Sequence, residues 1–278
     1  LVDTLLAMLN CGVHPVVPEQ GSCGSSGDLA PLAHLGLVMA KGDHGRARLN
    51  GQEVSAAMAM GTAGIERLEL EAKDGLAITN GAQLTTAIAA LSCIKANSLV
   101  LASEMAAAMS IEALRGATRA FEAGVHALRP YAGAIATAKN LRALMAGSTL
   151  TDSVPGKVQD AYSLRCTPQV LGATRDALEY VCRQISVELN AATDNPLILL
   201  DEPGENKAFS AGMFHGEPVG IPMDVMKIAV AELASLSERR LYRLTTGSLS
   251  GRLPPALAHK DRPELGMMVP QTTAAALV

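Results

Sequence analysis

Residues 20–34 read QGSCGSSGDLAPLAH, with glycine at every third position of the first half (Gly21, Gly24 and Gly27). The segment continues into Leu29–Ala40, a pattern that predicts a short helix with Pro31 tolerated in its first turn. A turn with almost no side chains is unusual in a chain so rich in alanine and leucine. Such a turn either lets the backbone approach a ligand closely or lets the backbone itself react.

The residues alone leave three interpretations of this turn open. Backbone amides before a helix bind phosphate, but the spacing G-x-x-G-x-x-G matches neither the Walker A loop nor G-x-G-x-x-G, and Asp28 would repel a phosphate. The second interpretation is a plain structural turn. In the third, the unhindered amide nitrogen of Gly27 closes onto the carbonyl carbon of Ser25. Loss of water from this ring and from Ser26 then leaves an exocyclic methylene, which is an electrophile.

The composition indicates a helical core and excludes several classes of partner. The 278 residues are 49% hydrophobic and only 3% aromatic, so Ala, Leu, Val, Ile and Met must fill the core. A net charge of −4 argues against nucleic acid and against an anionic membrane surface. The five cysteines are scattered without a C-x-x-C pair, which fits neither a disulfide framework nor a zinc site. We therefore expect reduced thiols in a cytoplasmic protein with no metal.

Periodicity predicts long helices connected by polar loops. The longest apolar segment, Leu84–Met109, contains Lys95, Asn97 and Glu104, which favours a core helix over a membrane span. Asn50-Gly51 between alternating residues predicts a two-residue β-hairpin. The expected fold is mainly α, a bundle of long helices with this hairpin near the glycine turn. Helices are expected at Ser55–Leu70, Gln83–Leu114, Thr118–Leu128, Tyr131–Met145, Gln169–Ala192 and Pro222–Thr245, with a connector at Gly75–Gly81.

The segment GSCGSSGDLAPLAHLGL (residues 21–37) resembles the signature of the aromatic amino acid ammonia-lyases. That family includes the histidine, phenylalanine and tyrosine enzymes and related aminomutases. It forms a 4-methylidene-imidazol-5-one (MIO) ring from Ala-Ser-Gly. The resemblance implies the same ring from Ser25-Ser26-Gly27, where Ser25 replaces Ala but contributes only its carbonyl and α-carbon. It implies no metal and no dissociable cofactor.

Four further segments are similar to motifs of that family, in the same order. GLAITNGAQ (75–83) implies that Asn80 hydrogen-bonds the ring. KVQDAYSLRCTPQVLGA (157–173) implies active-site roles for Gln159, Tyr162 and Arg165, usually supplied by a neighbouring subunit. ELNAATDNPLI (188–198) implies that Asn195 lies near the substrate. MFHGEPV (213–219) implies that Phe214 faces the substrate, with Met213 in place of the family's Asn.

Each of these residues also has a structural interpretation. Asn80 before Gly81 is a common turn residue, and Phe214 would by default belong to the core. Tyr162 and Arg165 stand three apart, so on a helical turn they project together, but an arginine is more often ion-paired at the surface. We interpret His215 and His34 as structural.

The resemblance implies an ammonia-lyase of the fumarase/ammonia-lyase-like superfamily. The first choice of substrate is L-histidine, converted to urocanate; a tyrosine or phenylalanine ammonia-lyase, an MIO aminomutase and an inactive helical scaffold remain alternatives. Arg165 would hold the substrate carboxylate, while Asn80 and Tyr162 would stabilise charge at the ring and the amine.

The resemblance also implies the organisation of the chain. Residues 1–278 are expected to form a single helical domain of a longer protein, with the turn and hairpin at 20–54 and the helical bundle at 55–278. The family's proton-removing tyrosine would precede Leu1 and its substrate-reading residue would follow Val278. The expected assembly is a homotetramer that shares active sites between subunits, with a small-molecule amino acid as substrate.

Overall fold

The computed structural model describes residues 1–24, 26–259 and 265–278, which are mainly α-helical. The described α-helices are α1 (Val2–Asn10), α2 (Leu29–Met39), α3 (Ala56–Thr62), α4 (Asp74–Thr79), α5 (Gln83–Ala113), α6 (Ala123–Ala127), α7 (Ala132–Leu144), α8 (Tyr162–Arg165), α9 (Thr167–Glu188), α10 (Glu217–Thr245), α11 (Gly247–Ser250) and α12 (Met268–Leu277). The described strands are β1 (His14–Pro15), β2 (Arg46–Leu49), β3 (Gln52–Ser55), β4 (Leu197–Ile198) and β5 (Ala208–Phe209). Short 3-10 helices cover Thr118–Phe121 and Pro255–Leu257. The prediction of a mainly α fold with a small hairpin is confirmed.

The chain divides into two compact units. Unit 1 contains Leu1–Ala90 and Gln184–Ile221, and unit 2 contains Leu91–Arg183 and Pro222–Val278. Three long helices, α5, α9 and α10, have residues in both units. The expected single domain, with a turn and hairpin at 20–54 and a bundle at 55–278, stays a prediction.

The hairpin of unit 1 has the turn that its sequence predicts. Leu49 pairs with Gln52, so Asn50 and Gly51 alone connect β2 to β3. Both residues have positive φ, 53° and 80°, as a type I′ turn requires. The third strand, β1, pairs antiparallel with β2 and was not predicted from its two residues. The buried core of this region includes Met8 of α1, Val38 of α2, Ala47 of β2 and Met60 of α3.

The helix predicted at Ser55–Leu70 is wrong in its second half. Helix α3 ends at Thr62 because Gly64 adopts the left-handed conformation, with φ +69°. The Gly64 amide donates to the Gly61 carbonyl at 3.1 Å and the Ile65 amide to the Met60 carbonyl at 2.9 Å. These two bonds form a Schellman motif, which satisfies the last carbonyls and terminates a helix.

Other predicted boundaries also need correction. The expected connector at Gly75–Gly81 is mostly helical, since α4 covers Asp74–Thr79. The segment expected as one helix from Thr118 to Leu128 is a 3-10 turn followed by α6, because Glu122 between them has a non-helical ψ of 140°. Helix α10 begins before Pro222, at Glu217, where the first amide donates to Nδ1 of His215 at 3.1 Å. That bond supports the structural interpretation of His215.

A buried carboxylate holds three helices of unit 2 together. Glu104 on α5 accepts hydrogen bonds from Thr137 and Asn140 on α7, at 2.7 and 2.8 Å, and from the guanidinium of Arg175 on α9, at 2.9 and 2.8 Å. Burial alone would raise the pKa of Glu104, but these bonds and the Arg175 charge outweigh it and lower the pKa below its ordinary 4.5. This part of the folding stability is therefore present above pH 4.5 and is lost as the pH falls through the lowered pKa.

Two glycines let α7 and α9 cross in direct backbone contact. A Cβ at Gly172 would press against the backbone N and Cα of Ala134, and one at Gly133 would press against the carbonyl oxygen of Gly172. Backbone atoms cannot move aside as the end of a flexible side chain can. Any side chain at either position must therefore separate the two helices.

We expect Gly172→Ala to lower the free energy of unfolding by about 3 kcal/mol, because the added methyl group overpacks the helix crossing. The matched control is Gly124→Ala on α6, also in unit 2, where an added Cβ meets nothing within 4 Å. The control should keep or slightly raise stability, since alanine favours a helix over glycine. Urea denaturation of both variants measures the difference, and equal midpoints would contradict the predicted crossing.

Candidate active site

The glycine turn is compact and returns on itself. The Cys23 amide donates to the Gly27 carbonyl at 2.7 Å, and the Gly27 amide donates to the Gly24 carbonyl at 3.1 Å. Gly24 and Gly27 have φ of +82° and +54°, values that residues with a side chain rarely adopt. Ser26 and Gly27 are half-buried, and Ser25 lies outside the described residues. The glycines are thus required by the conformation of the turn.

The carboxylate of Asp28 attaches the turn to the start of α5. Asp28 is fully buried, and its Oδ1 accepts from Ser22 Oγ at 2.7 Å and from Thr85 Oγ1 at 2.9 Å. Its Oδ2 accepts from the backbone amide of Thr85 at 2.7 Å, the third residue of α5. The first amides of a helix have no partner within it and favour negative charge. Asp28 therefore caps α5 from a segment distant in sequence.

Gly81 packs directly against the turn. Gly27 and Gly81 form a parallel β-bridge, and the Asp28 amide donates to the Gly81 carbonyl at 3.3 Å. A Cβ at Gly81 would lie 2.6 Å from Gln83 Oε1 and 2.7 Å from Thr193 Oγ1. The same Gln83 oxygen is buried without a hydrogen-bond partner in the described part of the chain. This close approach brings residue 80 next to Gly27.

Asn80 is buried and its amide is held by a carboxylate. Its Nδ2 donates to Asp194 Oδ1 at 3.1 Å, and Asp194 forms an ion pair with Lys73. Burial alone would raise the pKa of Asp194, but the hydrogen bonds from Lys73, Asn195 and Asn80 and the Lys73 charge lower it. Asp194 is therefore ionised at neutral pH.

The predicted substrate residues of unit 1 lie on the segment after Asp194. Asn195 Oδ1 accepts from the Ala211 amide at 2.7 Å and from Ser210 Oγ at 3.1 Å, which closes the loop that carries β4 and β5. Phe214 is half-buried and lies just before α10. Asn195 thus has a structural contact in addition to the substrate role expected for it.

Gln159, Tyr162 and Arg165 come together in unit 2. Helix α8 is one turn long, so Tyr162 and Arg165 share a side, and the guanidinium carbon lies 4.8 Å from the centre of the tyrosine ring. Arg165 Nη1 donates to Gln159 Oε1, whereas its Nε is buried without a partner among the described residues. The phenol is exposed, with 71% of Tyr162 accessible. A planar guanidinium with a free donor suits a carboxylate.

Gln159 and Arg165 border a cavity of about 790 Å³ in unit 2. Arg119 and Lys157 also line it, and Lys157 pairs with Asp160 at 2.5 Å. Asp160 in turn accepts from the Ala117 amide at 2.6 Å, so its charge is engaged. Its lining carries three cations, Arg119, Lys157 and Arg165, against two carboxylates, Asp152 and Asp160, so its formal charge is +1.

Within the described ranges, no three His, Cys, Asp or Glu side chains lie close enough to hold a metal ion. All five cysteines lie among the described residues and none forms a disulfide; Cys93 is buried, and Cys11 and Cys23 are exposed.

A family model for aromatic amino acid lyases matches residues 1–278. The chain belongs to the aromatic amino acid lyase family. The histidine ammonia-lyase of Geobacillus kaustophilus is 50% identical over 279 residues, covering 100% of this chain and 54% of that protein. The chain thus spans about half the length of the curated relatives it matches.

Solved structures of family members have the same fold. Histidine ammonia-lyase from Trypanosoma cruzi superposes with a TM-score of 0.88 at 39% identity, over 99% of this chain and 51% of that one. Tyrosine aminomutase from Streptomyces globisporus gives a TM-score of 0.88 at 36% identity, over 99% and 55%. This likeness confirms the resemblance that the motifs carry.

Sequence analysis of this aromatic amino acid lyase missed three residues of the site. Local sequence assigns no role in the site to Asp194 or Lys73, and it identifies Asp28 only as a residue that would repel a phosphate. Asp28 directly follows Gly27, and an acidic residue at that position is a sequence signal for a helix cap or a buried hydrogen-bonded carboxylate. The pairing of Lys73 with Asp194 joins positions 121 residues apart, and local spacing cannot reveal it.

Proposed function

We propose that the protein containing this chain is an ammonia-lyase that eliminates ammonia from an L-aromatic amino acid, with L-histidine as substrate and urocanate as product. The observation that carries the proposal is the Ser26-Gly27 turn, which Asp28 and Gly81 hold in a compact form, in a chain of the aromatic amino acid lyase family. The phosphate-cradle interpretation is weaker, because the fully buried Asp28 carboxylate directly follows the turn.

Three features of the described part of the turn support an MIO ring from Ser25-Ser26-Gly27. Gly27 has a left-handed φ and no side chain, so no Cβ crowds its amide nitrogen, which donates to the Gly24 carbonyl at 3.1 Å. Two further hydrogen bonds fix the backbone here. The Cys23 amide donates to the Gly27 carbonyl, and the Asp28 amide donates to the Ser26 carbonyl at 2.6 Å. Helix α2 begins at Leu29, so its positive end lies next to the tripeptide. The ring would supply an electrophile that activates the amino group as a leaving group.

The proposed roles of the other residues follow from their chemistry. Arg165 would bind the substrate carboxylate through its planar guanidinium, with Gln159 holding that side chain in place. Asn80 and Tyr162 would donate hydrogen bonds where negative charge develops. Asn195 and Phe214 would contact the rest of the substrate. None of these roles needs a metal or a dissociable cofactor.

Histidine is proposed as substrate because the curated relative at 50% identity is a histidine ammonia-lyase. The likeness to a tyrosine aminomutase at 36% identity supports the alternative, a tyrosine or phenylalanine lyase or an MIO aminomutase. Ser26, Gly27, Asn80, Tyr162 and Arg165 are all present, which argues against an inactive scaffold. Part of the segment that departs from the family pattern, residues 260–264, lies outside the described residues.

We also propose a homotetramer with active sites shared between subunits, as a dimer of dimers. An exposed apolar stripe runs along α5 in unit 2, formed by Leu91, Ile94, Leu101, Met105 and Met109. Exposed apolar surface of this extent favours an interface. A second apolar feature of unit 2, a groove of about 450 Å³ lined by residues of α9 and α10, adds to it.

A second copy of the chain suits this stripe better than a lipid bilayer. Among the described residues α5 is the one helix long and apolar enough to span a membrane, by length and composition alone. However, Lys95 near its middle is exposed, and a lysine at the centre of a bilayer costs about 3 kcal/mol. Together with the net charge of −4, this supports our proposal of a cytoplasmic protein with no membrane partner and no nucleic-acid partner.

The mass of the native full-length protein should be lower than its sequence mass by two waters, because cyclisation and dehydration each release one. Ser26→Ala lacks the hydroxyl group that leaves, so it should retain at least one of these waters and lose activity. Ser98→Ala on α5 is the control and should keep the full deficit. Intact-protein mass spectrometry measures all three, and an unmodified mass in folded, native protein would disprove the ring.

The full-length protein should deaminate L-histidine with a kcat/KM about tenfold or more above that for L-tyrosine or L-phenylalanine. A pocket that hydrogen-bonds an imidazole would bury polar groups without partners when it binds the wrong ring. Arg165→Lys should reduce transition-state stabilisation by about 2–5 kcal/mol for all three substrates, because all three carry the carboxylate that Arg165 would bind. Absorbance of urocanate, coumarate and cinnamate measures the products. Cinnamate or coumarate as the main product would overturn the choice of histidine.

Light scattering of the full-length protein should give the mass of four subunits. Replacing Ile94 and Leu101 together by Glu places charges on the α5 stripe and should dissociate the tetramer and abolish activity. Leu200→Glu, at a position that is 76% exposed in the loop after β4, should leave the tetramer intact. An active monomer would refute the shared-site assembly.

A further inference from the structure

Lys73 has an unusual backbone conformation for a residue with a long side chain. It immediately precedes α4, and its φ of +82° lies in the left-handed region that favours glycine. Such a conformation costs about 1 kcal/mol or more and persists where the surrounding structure imposes it. The side chain of Lys73 is partly buried and reaches Asp194, on a segment distant in sequence. The strained backbone of Lys73 thus coincides with an ion pair that its side chain makes with Asp194.

Asp194 uses both carboxylate oxygens. Its Oδ2 pairs with Lys73, while its Oδ1 accepts from Asn80 Nδ2 at 3.1 Å and from the Asn195 amide at 2.7 Å. Asp194 and Asn80 are both buried, whereas Lys73 is partly accessible. Without the lysine, the buried negative charge would lose its compensation and the carboxylate would gain protons more readily. The Lys73 charge therefore favours the ionised form of Asp194, which can only accept hydrogen bonds.

An ionised Asp194 fixes the orientation of the Asn80 side-chain amide, that is, the direction of its NH2 group and of its carbonyl oxygen. A carboxylate accepts hydrogen bonds only, so the NH2 group of Asn80 must face it and the carbonyl oxygen must face away. One N–H of the Asn80 amide donates to Asp194, and its second N–H can donate to another group. Gly81, the next residue, bridges to Gly27, so this oriented amide stands beside the proposed reactive tripeptide.

We propose that Lys73 and Asp194 are positioning residues of the reaction, which act through the side chain of Asn80. Lys73 holds Asp194, and Asp194 holds the Asn80 amide with its free N–H directed for use at the site. Neither residue contacts the substrate in this arrangement. The inference rests on the proposed function, since Asn80 matters for turnover only if the reaction occurs at this turn.

The test is a set of variants of the full-length protein, assayed with the amino acid that the parent protein deaminates best. Asp194→Asn keeps the size of the side chain but removes the charge, and Lys73→Met removes the ion pair. Both should lower kcat by about ten- to a hundredfold and change KM by less than about threefold, because misplaced catalytic groups affect turnover more than substrate binding. Lys73→Arg keeps the charge and should restore much of kcat.

The matched control is Lys41→Met, which removes an exposed ion pair with Glu69 in the same unit. It should leave kcat and KM unchanged. Circular dichroism checks the fold of every variant; if Lys73→Met does not fold, the Asp194→Asn and Lys73→Arg pair decides the result. Unchanged kcat in folded Asp194→Asn would overturn the proposal.

Intact mass separates this proposal from the proposed function. A two-water deficit in the parent and in Asp194→Asn, together with the loss of kcat, supports the positioning role. An unmodified mass in Asp194→Asn alone would assign the residue to ring formation and overturn the role in turnover. An unmodified, inactive parent would overturn the proposed function, and this inference with it.

Discussion

The buried carboxylate of Asp28 is the interaction on which the candidate site depends. It accepts three hydrogen bonds, one from Ser22 within the turn and two from Thr85 at the start of α5. A buried charge without partners would be expensive, so the turn and the helix start must come together for either to be stable. The carboxylate thereby couples a loop of small residues to the longest helix of the chain. The glycines allow the conformation, and Asp28 selects it.

Each of the two units contains a buried carboxylate with several hydrogen-bond donors, and the two carboxylates have different roles. In unit 2, Glu104 joins α5, α7 and α9 through Thr137, Asn140 and Arg175, and this network determines which helices pack together. In unit 1, Asp194 connects Lys73 to Asn80 next to the turn. A satisfied buried carboxylate requires several donors in a defined geometry, so each restricts the local fold to one arrangement. The first maintains the helical packing, and the second orients a side chain at the candidate site.

Local sequence was sufficient where a short segment alone decides the conformation. Asn50-Gly51 predicts its hairpin because few other residues adopt two successive positive φ values. The spacing of Tyr162 and Arg165 predicted their contact on one helical turn, because residues three apart share a side. The prediction failed at Ser55–Leu70, where apolar periodicity continues past Gly64 although the Schellman motif ends the helix. Periodicity describes burial, and it does not locate a cap.

The sequence by itself determined the chemistry that is available: a Ser-Gly pair in a glycine turn, an Asn-Gly pair, and an Arg-Tyr pair on one helical turn. It also determined the family, because five short motifs in order depend on residue identity and not on packing. Only the tertiary structure decided that Asp28 caps α5, that Gly81 lies against Gly27, and that Lys73 pairs with Asp194. These contacts join segments that are far apart along the chain. Their energy depends on burial and on the direction of each hydrogen bond, and neither quantity is encoded in local spacing.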